Sequence, residues 1–265
     1  MFTYNFTYEL KSLLRSKWLL LLAAILLIVM IFAGYNGDQK VNNRLNEIEK
    51  TTSISKTKDS DLLAQLKAIE NGTSKQKGSR SVSNPMTVGL NYPRTLILPP
   101  SPFTFISIGQ SDLFEHITQS KIYGDNFANT YTELSSPIQL LFGSFDIAFV
   151  IIYILPLIII AFSYNVLSNE KEYGTIKLLA SQPISLFTWL MQKIGLRFFW
   201  FTMITISILL ITLIINGFDF TNNFGGLLKM LLLVVSYILF WFAIAFTVNI
   251  AIGNSAKNAV LCTWM

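Results

Sequence analysis

Residues Phe198–Ile215 read FFWFTMITISILLITLII and contain no charged side chain. A helix of this length is about 27 Å long at a rise of ~1.5 Å per residue, close to the ~30 Å hydrocarbon core of a bilayer. The whole chain has a mean hydropathy of +0.51, with 52% hydrophobic and only 13% charged residues. These values exceed what a soluble domain needs for one core, so the run predicts a transmembrane helix.

Three further apolar runs lie on either side of this one, at Trp18–Ala33, Gly143–Leu167 and Leu227–Ile252. The second is interrupted by Asp146 near its start and Pro156 near its middle. A proline is tolerable there because a neighbouring helix can satisfy the carbonyl group that it frees. The first run also has a length at the upper limit for a signal-peptide core, and we favour an uncleaved span over that alternative.

Polar side chains within the runs are expected to hold the helices together by hydrogen bonds. For Asp146, about one turn from the end of its run, we favour a water-exposed interface position over a proton relay. The other polar side chains of interest are Ser163, Asn165, Thr205, Ser207, Ser236 and Asn249.

The positions of the basic residues predict the orientation of the chain. The connection 216–226 contains Asp219 but no Lys or Arg, whereas every other short flank carries positive charge. The positive-inside rule then places the N-terminus in the cytoplasm and residues 35–142 outside it. The basic residues in question are Lys11, Arg15 and Lys17, then Lys171, Lys177, Lys193 and Arg197, and finally Lys257.

Residues 35–142 form a polar block that holds 11 of the 20 basic and 10 of the 15 acidic residues. Two apolar stripes at helical spacing predict a helical hairpin. The second stripe follows Asp59-Ser60, plausible N-cap residues, and ends at Asn71-Gly72. Met86–Leu90 and Thr95–Leu98 predict short strands, before prolines that exclude helix and sheet alike. The stripes are Val41, Leu45, Ile48 and Leu62, Leu66, Ile69.

The predicted fold class is an all-α polytopic membrane protein with a small mixed, partly helical extracytoplasmic domain. Its predicted segments are a cytoplasmic interfacial amphipathic helix (1–17), a transmembrane helix (18–34), the extracytoplasmic domain (35–142), a second transmembrane helix (143–167), a cytoplasmic loop (168–186), a third transmembrane helix (187–215), an extracytoplasmic loop (216–226), a fourth transmembrane helix (227–252), and a cytoplasmic turn that starts a fifth helix (253–265).

The loop after the second span reads SNEKEYGTIKLLASQPI over Ser168–Ile184. A charged cluster is followed by Gly174-Thr175, which breaks the chain direction and can cap a new helix, and Pro183 stops that helix. So short a helix is not stable alone and needs a surface on which to dock. The plainer alternative is a solvated helix end, where such charges and Gly-Thr pairs are common.

This loop resembles the first cytoplasmic loop of ABC-2 type transporter permeases, which shows a Glu-rich turn, a Gly-Thr pair, a Leu-Leu pair and a proline. The resemblance extends to the amphipathic N-terminal helix, the order of the spans and a large insert between the first two spans. It implies that the loop is a coupling helix that fits a cleft on an ATP-hydrolysing subunit. The residues that carry this ATPase-coupling role would be Glu170, Glu172, Gly174, Thr175, Leu178, Leu179 and Pro183.

The resemblance also implies partners and a location. The partners would be an ATP-binding cassette ATPase subunit and a second permease subunit, identical or different, within the lipid bilayer. The location would be a bacterial plasma membrane, with a multi-pass chain whose N-terminus is cytoplasmic. Such permeases usually have six spans, and Ala259–Met265 looks like the beginning of a fifth, so we expect a truncated chain.

No catalytic, metal or cofactor site is expected from the residues. The chain has no phosphate-binding Gly-x-x-x-x-Gly-Lys-Ser/Thr loop, and its single cysteine (Cys262) and single histidine (His116) stand alone. Scattered basic residues with few interleaved aromatics argue against nucleic acid as a partner. The alternatives to a permease are a non-transporting membrane sensor or assembly protein that binds a partner through its extracytoplasmic domain and, with least support, a membrane enzyme.

Overall fold

The structure is a computed structural model in which the chain forms two compact units. It describes Thr7, Lys11, Arg15 and residues 17–73, 81–109, 116–120, 143–164, 167–176, 181 and 185–251. The helical unit comprises Met1–Asn36 and Phe145–Met265, and the inserted unit comprises Gly37–Ser144. Most contacts of each unit lie within that unit, and the two units are described separately.

The helices of the helical unit confirm the predicted class of all-α polytopic membrane protein. They are the first part of α1 (Trp18–Glu70), α3 (Ile147–Ser163), α4 (Ser168–Glu172), α5 (Leu186–Ile215) and α6 (Phe224–Ala251). Within the described part of the chain, α1, α5 and α6 are long and apolar enough to cross a membrane, and α3 is a shorter apolar helix. The fourth span and the predicted segment boundaries therefore stay predictions.

A glycine lets α1 approach α5 closely. A Cβ atom placed on Gly34 would lie 2.6 Å from Asn216 Nδ2 and 2.7 Å from Thr212 Cγ2, so a larger residue would force these side chains apart. Met30 and Ala33 on α1 and Leu213 on α5 are fully buried. A small residue at a helix contact permits close van der Waals packing, which drives helix association in lipid.

The helix α3 begins at a buried carboxylate. Asp146 is only 2% exposed, and its carboxylate accepts a hydrogen bond of 2.7 Å from the backbone N–H of Phe149. It is therefore an N-cap and not the water-exposed residue that the sequence predicted. The sequence position alone could not distinguish the two, because both lie near a helix end. Three rings continue from this cap, with centroids 5.2 Å apart for Phe145–Phe149 and 4.8 Å apart for Phe149–Tyr153.

A π-helical segment occupies Val150–Ile154, directly before Leu155-Pro156. Proline cannot donate the backbone hydrogen bond that a helix normally sends to the residue four positions earlier, here Ile152. The carbonyl oxygen of Ile152 accepts instead from the hydroxyl group of Tyr237 on α6, at 2.8 Å. This confirms the prediction that a neighbouring helix satisfies the freed carbonyl.

We predict that Tyr237→Phe loosens the contact between α3 and α6. The substitution keeps the ring and removes only the donor to Ile152. The expected loss of stability is about 0.6 kcal/mol, the average measured for hydrogen bonds between membrane helices, and at most ~1.7 kcal/mol. Thermal unfolding in detergent measures the change. The matched control is Tyr35→Phe, since Tyr35 is exposed on α1. Equal melting temperatures for the two variants would contradict the role of this hydrogen bond.

Most polar side chains of the predicted spans bond within their own helix. The hydroxyl groups of Ser163, Thr205, Ser207 and Ser236 each donate to the carbonyl four residues earlier, so the expectation that they link helices was wrong for their described hydrogen bonds. A hydroxyl group on a short side chain reaches its own helix more easily than the next one. Asn249 does link two helices, as predicted, and Asn165 lies outside the described residues.

The connection between α5 and α6 is organised by Asp219. Its carboxylate accepts hydrogen bonds from the backbone N–H (3.0 Å) and the hydroxyl group (2.7 Å) of Thr221, and from the side-chain amide of Asn222 (2.5 Å). These hydrogen bonds lower the pKa of Asp219 to about 2. Asp219 therefore stays negatively charged to a lower pH than an ordinary aspartate does.

In the inserted unit α1 continues without a break to Glu70, so the predicted helical hairpin was wrong. No glycine or proline lies between Asp38 and Asn71 to turn the chain. Ser60 is not a cap but a helical residue whose hydroxyl group donates to the carbonyl of Thr57. The predicted end was correct, because Gly72 has a φ of 72° and its N–H donates to the carbonyl of Ile69.

The rest of the inserted unit contains α2 (Pro85–Asn91) and a two-stranded antiparallel sheet of β1 (Arg94–Ile97) and β2 (Ile117–Ser120). The predicted strand at Met86–Leu90 was wrong: Asn84 caps a helix by accepting from the N–H of Met86, and Pro85 occupies its first turn. The predicted strand at Thr95–Leu98 matches β1 within one residue.

Candidate functional site

The candidate site is the loop 168–186 between α3 and α5. Its described part begins with α4 (Ser168–Glu172), and Gly174 then reverses the chain direction with a φ of 70°, a conformation that glycine adopts without strain. Glu170, Glu172, Gly174 and Thr175 all lie in this described part. Leu178, Leu179 and Pro183 lie outside the described residues, so their predicted helix and its end stay predictions.

Glu170 forms the centre of the described loop. One carboxylate oxygen accepts from the ammonium group of Lys193 on α5 at 2.6 Å, and the other accepts from the hydroxyl group of Thr175. The same hydroxyl group lies 3.0 Å from the backbone carbonyl of Glu170. The side chains of Lys193 and Glu170 are 11% and 26% exposed, so this ion pair is largely shielded from water.

Lys193 is held from a second side as well. Its ammonium group lies 4.9 Å from the ring centroid of Trp189, one turn earlier on α5. A cation over a tryptophan ring is attracted by the negative face of the ring. Lys193 is therefore held by Trp189 of its own helix and by Glu170 of α4. The loop is thus attached to α5 at one defined position.

The ionisation of Glu170 follows from these contacts. Burial alone raises the pKa of the Glu170 carboxyl group, but hydrogen bonds from Lys193 and Thr175 and the positive charges of Lys193 and Arg197 outweigh burial. The net result is a pKa below the ordinary glutamate value. Because the folded pKa is lowered, the pair contributes its full stability above the ordinary glutamate pKa and loses it as the pH falls through the lowered value.

The structure thus brings together only part of the predicted set. Glu170 and Thr175 contact each other, and Gly174 makes the turn that allows this. The hydroxyl group of Thr175 donates back to Glu170 in α4, and most of the helix that Gly174-Thr175 was predicted to cap lies outside the described residues, so that role stays a prediction. Glu172 is exposed on α4 and is absent from the contacts around Glu170 described above.

Sequence reasoning missed two features of this site. Tyr173 is 80% exposed between Glu172 and Gly174, more than the other exposed large apolar side chains of the described residues. An aromatic residue inside a charged turn could have been noticed from the sequence. Lys193 was used only for orientation, since nothing in the sequence pairs it with a residue 23 positions earlier.

Behind the loop, α3, α5 and α6 meet in a tight apolar pocket. Three rings pack together between these helices, with centroids 5.6 Å apart for both Phe162–Phe201 and Phe201–Phe242, and Phe242 also lines the pocket. The guanidinium group of Arg197 lies 5.7 Å from the ring centroid of Phe162. In the described ranges no cluster of three or more His, Cys, Asp or Glu side chains forms a set of metal ligands. The pocket is lined by Ser163, Leu167, Ile194, Arg197, Phe242, Phe246 and Asn249.

Long apolar helices joined by a loop that is bonded to the next helix define an integral membrane protein with a structured connection. The family model for "ABC-2 family transporter protein" matches residues 6–264 of the chain. Because this match covers nearly the whole sequence, the chain belongs to the ABC-2 transporter family, a family of membrane components of transport systems. Neither the curated proteins nor the solved structures gave a match.

Proposed function

We propose that the chain is the membrane-spanning permease subunit of an ATP-binding cassette exporter. The observation that carries this proposal is the family match over residues 6–264. ATP hydrolysis would occur in a separate ATP-binding cassette subunit, and two permease subunits, identical or different, would enclose the path. The N-terminus and the loop 168–186 would face the cytoplasm of a bacterium.

The loop 168–186 is the proposed contact with the ATPase. Its attachment through Glu170 and Lys193 supports this role, because a loop that transmits movement must be bonded to the helices that it moves. On ATP binding, the ATPase subunits would close and displace α4, and the displacement would pass to α5. The helix bundle would then shift between inward-open and outward-open states.

Within this proposal the loop residues have different roles. Glu170, Gly174 and Thr175 would hold the shape of the loop, as their mutual contacts support. The exposed Glu172 and Tyr173 would contact the ATPase, together with Leu178 and Leu179, and Pro183 would end the docking helix. Tyrosine is among the residues most often responsible for interface affinity.

We predict that Tyr173→Ala weakens binding of the ATPase subunit by about 30-fold, because truncation of a hot-spot tyrosine costs ~2 kcal/mol and ~1.4 kcal/mol corresponds to a factor of ten. The measurement is the amount of ATPase that is retained when the tagged protein is purified. The cells also express the ATP-binding cassette subunit whose gene lies nearest to the gene of this chain. The control is Tyr35→Ala, which makes the same change at another exposed tyrosine.

The outcome also separates the two candidate functions. A non-transporting sensor or assembly protein would purify without an ATPase subunit, and changes in the loop would leave its partner binding intact. If the unmodified protein retains no ATPase, the proposed function is wrong. If Tyr173→Ala retains as much ATPase as Tyr35→Ala, Tyr173 is not part of the contact.

A further inference from the structure

Consecutive side chains of α4 bond to two different helices. Glu170 pairs with Lys193 on α5, whereas the ammonium group of Lys171 reaches the last described turn of α6. There it donates to the backbone carbonyl of Ile250 at 2.9 Å and lies 3.4 Å from that of Asn249. Backbone carbonyl oxygens are strong hydrogen-bond acceptors, and a lysine ammonium group carries three donors and no acceptor, so it is well suited to them.

Asn249 makes a second link at the same place. Its side chain is 2% exposed, and its amide nitrogen donates to the carbonyl of Ser163 at the end of α3, at 2.9 Å, and to that of Ala245 on its own helix. Its amide oxygen accepts a long hydrogen bond of 3.5 Å from the N–H of Leu167. One buried side chain therefore bonds to backbone groups on both sides of the break between α3 and α4.

The hydrogen bonds of Lys171 and Asn249 differ from ordinary side-chain packing because their partners are backbone groups. Asn249 bonds to the carbonyl group of Ser163, the last residue of α3, and to the N–H of Leu167, which directly precedes α4. A buried polar group without a partner is costly, which makes the position of α4 depend on the position of Asn249 in α6.

We infer that Lys171 and Asn249 are positioning residues that fix α4 to the last described turn of α6. Together with the Glu170–Lys193 pair, these residues join α4 to both α5 and α6. Without such contacts, α4 would only follow α3 in the chain. This inference deepens the proposed function, on which its meaning for coupling rests: a displacement of α4 would then move α5 and α6 together. The linkage itself depends only on the contacts of this chain.

The test is the distance between α4 and the far part of α6, measured by pulsed electron spin resonance. Spin labels are attached to Tyr173→Cys and Leu232→Cys, both exposed positions, in a Cys262→Ser background, and the full chain is placed in lipid nanodiscs without ATPase. We expect one narrow distance. We expect Lys171→Met and Asn249→Ala each to lose it in favour of a broad distribution.

Two comparisons make the test decisive. Lys171→Arg keeps a cationic donor and should restore the narrow distance, which a loss of general packing would not allow. Lys229→Met removes an exposed lysine from the other end of α6 and should leave the distance unchanged. Since Lys171 is not in the core, Lys171→Met remains informative if Asn249→Ala fails to fold.

A narrow distance in Lys171→Met, equal to that of the unmodified chain, would overturn the inference. The result is independent of the proposed function, because no ATPase is present in the sample. Failure of the ATPase to co-purify would instead refute the proposed function and leave the measured linkage standing.

Discussion

Reversing the charge of Glu170 (Glu170→Lys) is expected to detach α4 from α5 and to abolish retention of the ATPase subunit. The variant places an ammonium group beside that of Lys193, which now lies 2.6 Å from a carboxylate oxygen and is only 11% exposed. Loss of a hydrogen bond to a charged group costs about 1.5 to 3 kcal/mol. Amide exchange over residues 167–173 should therefore accelerate by roughly ten- to a hundredfold, at ~1.4 kcal/mol per factor of ten.

A charge swap supplies the internal check. Glu170→Lys combined with Lys193→Glu restores opposite charges at the same two positions and should recover much of the slow exchange. Glu172→Lys makes the same reversal at an exposed position of α4, where it should weaken ATPase retention. A double variant that exchanges as fast as Glu170→Lys would show that the pair does not hold the loop.

The second large effect is expected from Gly37→Ala, which should destabilise the inserted unit. A Cβ atom at Gly37 would lie 2.1 Å from the carbonyl oxygen of Phe105 and 3.1 Å from its carbonyl carbon. Both are backbone atoms, so no side-chain rotation relieves the contact. We expect a net loss of about 1 to 3 kcal/mol, the usual cost of overpacking, despite the ~1 kcal/mol by which alanine favours a helix.

Gly195→Ala is the matched control for this variant. Gly195 also lies inside a long helix, but nothing lies within 4 Å of a Cβ atom placed on it. It should therefore be neutral or stabilising. Amide exchange over residues 103–108 reports on the packed turn beside Gly37. Unchanged exchange there in Gly37→Ala would mean that α1 and the turn do not pack as closely as described.

The features that followed from the sequence are those fixed by local composition. Runs without charge, such as Phe198–Ile215, identify membrane helices because an unpaired charge in lipid is costly. The need for a partner at Pro156 followed from the chemistry of proline alone, and Tyr237 supplies it. The end of α1 at Asn71-Gly72 followed from the tendency of glycine to terminate helices.

The features that the sequence did not reveal depend on residues far apart in the chain or on competing local signals. Asp59-Ser60 is a plausible cap, but with no chain-breaking residue nearby the helix simply continues through it. In the loop, the predicted residues were identified by resemblance, while Lys193 and Asn249 contact it from positions 23 and about 80 residues away. Spacing within one segment cannot predict such pairs.

The π-helical segment Val150–Ile154 bears on how related chains are aligned. A π segment accommodates one residue more than the regular helix would, so deleting a single residue there would yield an ordinary α-helix. Since successive residues of an α-helix are rotated by about 100°, that deletion would turn the faces before and after the segment relative to each other. A helical wheel drawn through Ile147–Ser163 as one continuous register would therefore assign lipid-facing and bundle-facing residues incorrectly on one side of it.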